Sequence, residues 1–118
     1  RLEAVSFENA VFVNTGAFDT CSNMKSINLP KVKYIGYQAF FNVAITDIYL
    51  PEALAIGTQA FACCYDLKRI YLPSAVNLGN DVFFSCGEIE LYTAEGNLAV
   101  KEYFEVYHDK EDLRRLTL

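Results

Sequence analysis

A chain of 118 residues with 53% apolar side chains is long enough to bury one core and fits the size of a single domain. Its apolar residues come in short groups, far from the ~20 in a row that a membrane-spanning helix needs. Ten Lys and Arg stand against fifteen Asp and Glu, and the net −5 is spread along the chain, which excludes the basic stripe that nucleic acid requires.

The chain opens on Arg1 with no basic stretch leading into an apolar signal core, so it reads as a processed or excerpted piece. From there Leu2, Val5 and Phe7, then Val13, Ala17 and Phe18, form an eroded first unit of a repeat that becomes clear further on. Met24-Lys25-Ser26-Ile27-Asn28-Leu29-Pro30 recurs as Ile45-Thr46-Asp47-Ile48-Tyr49-Leu50-Pro51 and as Leu67-Lys68-Arg69-Ile70-Tyr71-Leu72-Pro73, at spacings of 21 and 22 residues. A second block follows in the same phase: Ile35-Gly36-Tyr37-Gln38-Ala39-Phe40, Ile56-Gly57-Thr58-Gln59-Ala60-Phe61 and Leu78-Gly79-Asn80-Asp81-Val82-Phe83. After Cys86, Ile89-Glu90-Leu91-Tyr92 restores one more strand, two or three residues early.

The alternation at Ile27 and Leu29 is that of a strand, with one parity pointing inward. Pro30, Pro51 and Pro73 end each strand, because proline has no N–H for a ladder. Gly36, Gly57 and Gly79 are expected to permit a backbone turn. The Ala-Phe pairs lock the return leg, the small residue allowing close approach and the ring filling the space between coils. One coil cannot bury such a face alone; stacked coils bury it between neighbours.

On these residues the chain resembles the BspA-like leucine-rich repeats, whose coil reads roughly L-x-x-I-x-L-P followed by I-G-x-x-A-F-x-x-C. The resemblance covers residues 2 to about 92. It departs at Asn14 in place of Gly, Val82 in place of Ala, Val43 in place of Cys and Glu8 in place of Pro. The fold class expected is a mainly β or α/β solenoid: about four leucine-rich-repeat coils of 21–22 residues over residues 1–93, with parallel strands on the concave face. Residues 94–118 are expected to be a C-terminal cap or the start of a linker, helical in part. The resemblance implies a surface or secreted protein, bacterial or from a protist parasite, associated with adhesion and protein binding, and it implies no catalytic residues.

Cys21, Cys64 and Cys86 share one repeat position with Val43, so the slot takes a small apolar side chain in the core. A disulfide between Cys64 and Cys86 stays open at the ~5 Å strand spacing, although stacked equivalent side chains rarely have the required Cβ directions. Cys63 has polar counterparts in Thr20, Asn42 and Ser85, and is placed near the surface. No C-x-x-C, G-x-S-x-G, H-E-x-x-H or phosphate loop is present, and His108 is flanked by charges in the tail. The reading is therefore of no enzyme, no metal site and no cofactor.

From Asn97 the repeat is lost, and Leu98, Val100, Tyr103, Phe104 and Tyr107 fit a short amphipathic helix, with Leu113 and Leu116 as a second possible turn. In the repeats, the outward strand position between Ile and Leu reads Ser6, Asn28, Tyr49, Tyr71, then Glu90 if the last strand closes early. Beside it run Ala4, Ser26, Asp47 and Arg69, then Glu3, Lys25, Thr46 and Lys68. Asn28, Asp47, Tyr49, Arg69 and Tyr71 are thus the candidate binding residues of the concave face. A tyrosine centre with a polar surround suits a protein partner, such as a host or extracellular-matrix protein, and also suits a glycan. The alternative is a spacer or self-association segment in which the tyrosine pair only stabilises the sheet.

Overall fold

A computed structural model describes residues 4–74 and 77–118, so the expected repeat positions Leu2 and Glu3 lie outside the described residues. Each L-x-x-I-x-L stretch forms a strand: β1 (Ala4–Ser6), β3 (Ser26–Asn28), β5 (Asp47–Tyr49) and β7 (Arg69–Tyr71). The central Ile27, Ile48 and Ile70 are buried while the residues before them are exposed, as period-two alternation requires. Met24, Ile45 and Leu67, with Leu29, Leu50 and Leu72, are fully buried around them.

Each coil also has a second strand that its sequence does not announce: β2 (Phe12–Val13), β4 (Tyr34–Ile35), β6 (Ala55–Ile56) and β8 (Asn77–Leu78). These pair in parallel in the order β2-β4-β6-β8. On the other side β1 pairs with β3, and β5, β7, β9 (Ile89–Thr93) and β10 (Leu113–Thr117) form one parallel sheet. The two pieces lie next to each other through β3 and β5, without ladder pairing between them.

Gly36, Gly57 and Gly79 follow directly on the second strands, and the turn expected there has a different cause. None of the three has a positive φ; the left-handed positions are Gly16, Gln38, Gln59 and Asp81, then Thr20, Asn42, Cys63 and Ser85. Each return leg therefore carries two left-handed residues four apart. The second of these columns is the polar one noted around Cys63, and Asn tolerates this conformation better than most residues. Between these positions Phe18, Phe40, Phe61 and Phe83 stack from coil to coil, with centroids 5.3, 5.2 and 6.0 Å apart.

The tail folds back over the last coil. Helix α1 (Leu98–Glu111) starts at Asn97, whose side chain accepts the Val100 N–H at 3.1 Å, and stops at Asp112 in the left-handed region. It packs against β8 and β10 and buries Val100, Tyr103 and Glu111, while Leu98 is exposed. Leu113 and Leu116 belong to strand β10 and not to a second helical turn. Tyr103 meets Phe83 edge-on at 6.2 Å and so closes the phenylalanine column.

Candidate interaction face

Strand pairing fixes the outward columns without ambiguity, because parallel neighbours in register place equivalent side chains side by side. Tyr49, Tyr71 and Tyr92 form one column and Asp47, Arg69 and Glu90 the next. Glu90 was expected after Tyr71; it stands after Arg69 instead, and Tyr92 takes the tyrosine position. The last strand is not early by two or three residues: Leu91 pairs with Ile70, a spacing of 21. Thr93 then falls opposite the Leu72 position, is buried, and donates its hydroxyl to the Leu72 carbonyl at 3.1 Å. Strand β10 extends both columns with Leu116 and Arg114.

The tyrosine column is in close contact throughout. Tyr71 and Tyr92 stack at 4.6 Å and 16°, and Tyr49 meets Tyr71 edge-on at 5.6 Å and 77°. Tyr49 remains 57% exposed. Asn28, the next candidate in the column, donates to the Ser6 hydroxyl at 3.2 Å.

The charged column is paired within itself. Arg69 reaches Asp47 at 3.1 Å and Glu90 at 3.3 Å, and Arg114 reaches the other Glu90 oxygen at 3.8 Å. Asp47, first by its hydrogen bond, holds the Arg69 guanidinium even more firmly charged than usual. The Tyr92 hydroxyl donates to Glu90 at 3.2 Å; partial burial first, and that bond second, raise its pKa. A cleft of about 380 Å³ lined by Lys68, Arg69, Glu88 and Glu90 opens beside this column. The structure thus brings Asp47, Tyr49, Arg69 and Tyr71 together on one face, with Asn28 in the adjoining piece, and adds Tyr92, Glu90 and Arg114. The signal for Tyr92 was available in its 21-residue distance from Tyr71.

The cysteines sit elsewhere. All four are free thiols. Cys64 donates to the Phe40 carbonyl and Cys86 to the Phe61 carbonyl, each at 3.0 Å and each one coil back. Burial pushes the Cys64 thiol up to about 12 and raises Cys86 as well, which leaves both inert as nucleophiles. Cys63 is half-buried beside Tyr65. His108 stacks on Phe104 at 5.0 Å and lies 3.3 Å from Asp109. Among the described residues no group of three or more His, Cys, Asp or Glu is placed to hold a metal ion, and no helix is long and apolar enough to cross a membrane.

Parallel strands on two sides of the chain, joined by short coils of 21 or 22 residues, define a leucine-rich-repeat solenoid. The model of the BspA-type leucine-rich repeat region matches residues 1–105 in six copies, and the chain belongs to that family. The matches run past the four coils that periodicity counts and into α1. A crystal structure of a leucine-rich repeat protein from Bacteroides ovatus ATCC 8483 is similar, with a TM-score of 0.74 and 24% identity over 98% of this chain. The match covers 36% of that protein's chain, so the present sequence spans about a third of its length. No curated protein matches the sequence. Family and fold are those of a repeat module for protein interaction, a class that is typically non-enzymatic.

Proposed function

We propose that this solenoid binds a protein partner across the Tyr49, Tyr71 and Tyr92 lane, as a module of a surface or secreted protein engaged in adhesion. The observation that carries the reading is the pairing of the charged column within itself. Asp47, Arg69, Glu90 and Arg114 pair with one another and the Tyr92 hydroxyl pairs with Glu90, which leaves the rings of the adjacent aromatic lane, the exposed Tyr49 above all, as the surface open to a partner. Tyrosine contributes a large contact area at a low cost in side-chain freedom, and buried aromatic anchors dominate interface energetics. The partner segment that fits is uncharged and extended along the solenoid axis. The extracellular setting rests on the family resemblance.

The test is a binding screen of the purified domain against extracellular-matrix proteins and a glycan array, with the Tyr49→Ala/Tyr71→Ala double variant in parallel. A protein hit lost in the variant supports the reading. A hit on the glycan array alone moves the lane to carbohydrate stacking. No hit, with a stability loss as the variant's sole effect, leaves the spacer role.

A further inference from the structure

In the first three coils a small residue of the return leg closes a turn within its own coil: Ala17, Ala39 and Ala60 donate to the carbonyls of Asn14, Gly36 and Gly57. In the last coil the equivalent Val82 N–H donates instead to the Tyr103 hydroxyl of α1, at 2.8 Å. That hydroxyl in turn donates to the Glu111 carboxyl, at the end of the same helix. Glu111 is 3% exposed, and its Oε2 is buried without a hydrogen-bond partner. An ionised carboxylate in that position would leave half of its charge unsolvated.

We propose that Val82, Tyr103 and Glu111 form a proton-controlled latch: with the Glu111 carboxyl protonated, α1 and β10 are held on the last coil, and loss of that proton loosens them. Burial pushes the carboxyl pKa up to about 7, and Asp81 on the last coil pushes the same way. The Tyr103 hydroxyl, the Phe83 N–H and Lys110 act in the opposite direction without cancelling burial. Cys86, the other titratable group on the last coil that senses Glu111, is itself raised by burial first and stays a neutral thiol. Tyr103 is raised far above its ordinary value, mainly by burial, and stays protonated.

The sign follows from linkage. Glu111 binds its proton more tightly in the folded state than in the unfolded chain, whose ordinary value is 4.5. The stabilisation is complete below about 4.5, is lost as pH rises toward 7, and changes no further above that. The cap is therefore tightest in acid and loosest at neutral and alkaline pH.

The test is hydrogen exchange of the Val82 amide and the α1 amides from pH 5 to 8, corrected for intrinsic rates, with carbon-detected titration of the Glu111 side chain in the wild-type chain. We expect the opening constant of the cap to rise on the order of tenfold across that range. In Glu111→Gln, which mimics the protonated form, it should be flat. His108 remains in that variant, so a pH dependence that survives there belongs to another group and overturns the latch. A wild-type Glu111 that titrates with the ordinary carboxylates overturns it too, and this readout stands even where Glu111→Gln fails to fold.

Discussion

A Cβ placed on Gly57 would lie 2.7 Å from the carbonyl carbon of Gly36, in the coil before it. The same approach recurs along the column, at 2.6 Å for Gly36 against Thr15 and 2.5 Å for Gly79 against Thr58. All three contacts are with backbone, which cannot rotate out of the way. Gly57→Ala should thus force the coils apart and cost about 1–3 kcal/mol, as overpacking does. Urea unfolding measures it; a cost below a few tenths would mean that the coil spacing is soft.

Phe61 stacks between Phe40 and Phe83 at 5.2 and 6.0 Å and is fully buried. Phe61→Ala removes the middle of the ring column, with an expected loss of about 3–5 kcal/mol. Phe18, at the incompletely covered end of the column, should cost distinctly less by the same denaturation measurement.

Cys64 and Val43 occupy one repeat position, and both are buried. Cys64→Val should therefore preserve packing and lose only the thiol bond to Phe40, at a cost of about 1 kcal/mol or less. Labelling of the native protein with a thiol reagent should modify Cys63 well before Cys64. Faster reaction at Cys64 would show that the coil opens locally at that point.

Tyr49 and Tyr71 also stabilise the sheet by their edge-on contact. The double change to alanine should lower stability by about 0.5–1.5 kcal/mol and leave the circular dichroism spectrum unchanged. A collapse of the spectrum would make the tyrosines structural and remove them as a binding test.

The first strands were legible because Ile27, Ile48 and Ile70 repeat in phase and proline marks each strand end. The second strands were hidden because two residues cannot display a period, and Gly36 next to Ile35 reads as a turn when the reason is close approach to Thr15. Asp47, Tyr49, Arg69 and Tyr71 could be aligned by counting, since the L-x-x-I-x-L-P stretch itself has a fixed length and carries its columns with it. Glu90 and Tyr92 were misplaced by matching Ile89 to Ile70 on side-chain type, whereas the ladder places Leu91 there. The latch at Glu111 had no signature at all. It depends on Tyr103 of the helix crossing back to Val82, 21 residues earlier, and no local pattern encodes such a meeting.

Around the phenylalanine column of the return leg the coil-to-coil hydrogen bonds run one way. Gly16, Phe18 and Thr20 donate to Tyr37, Ala39 and Phe41, and the next two junctions repeat the arrangement from Gln38, Phe40 and Asn42, then from Gln59, Phe61 and Cys63. This leg consequently has polarity, with acceptors turned to the N-terminal side and donors to the C-terminal side. A further coil laid on the last one would meet these donors with its own carbonyls, and in this chain α1 stands in that place, packed against β8 with Tyr103 on Phe83.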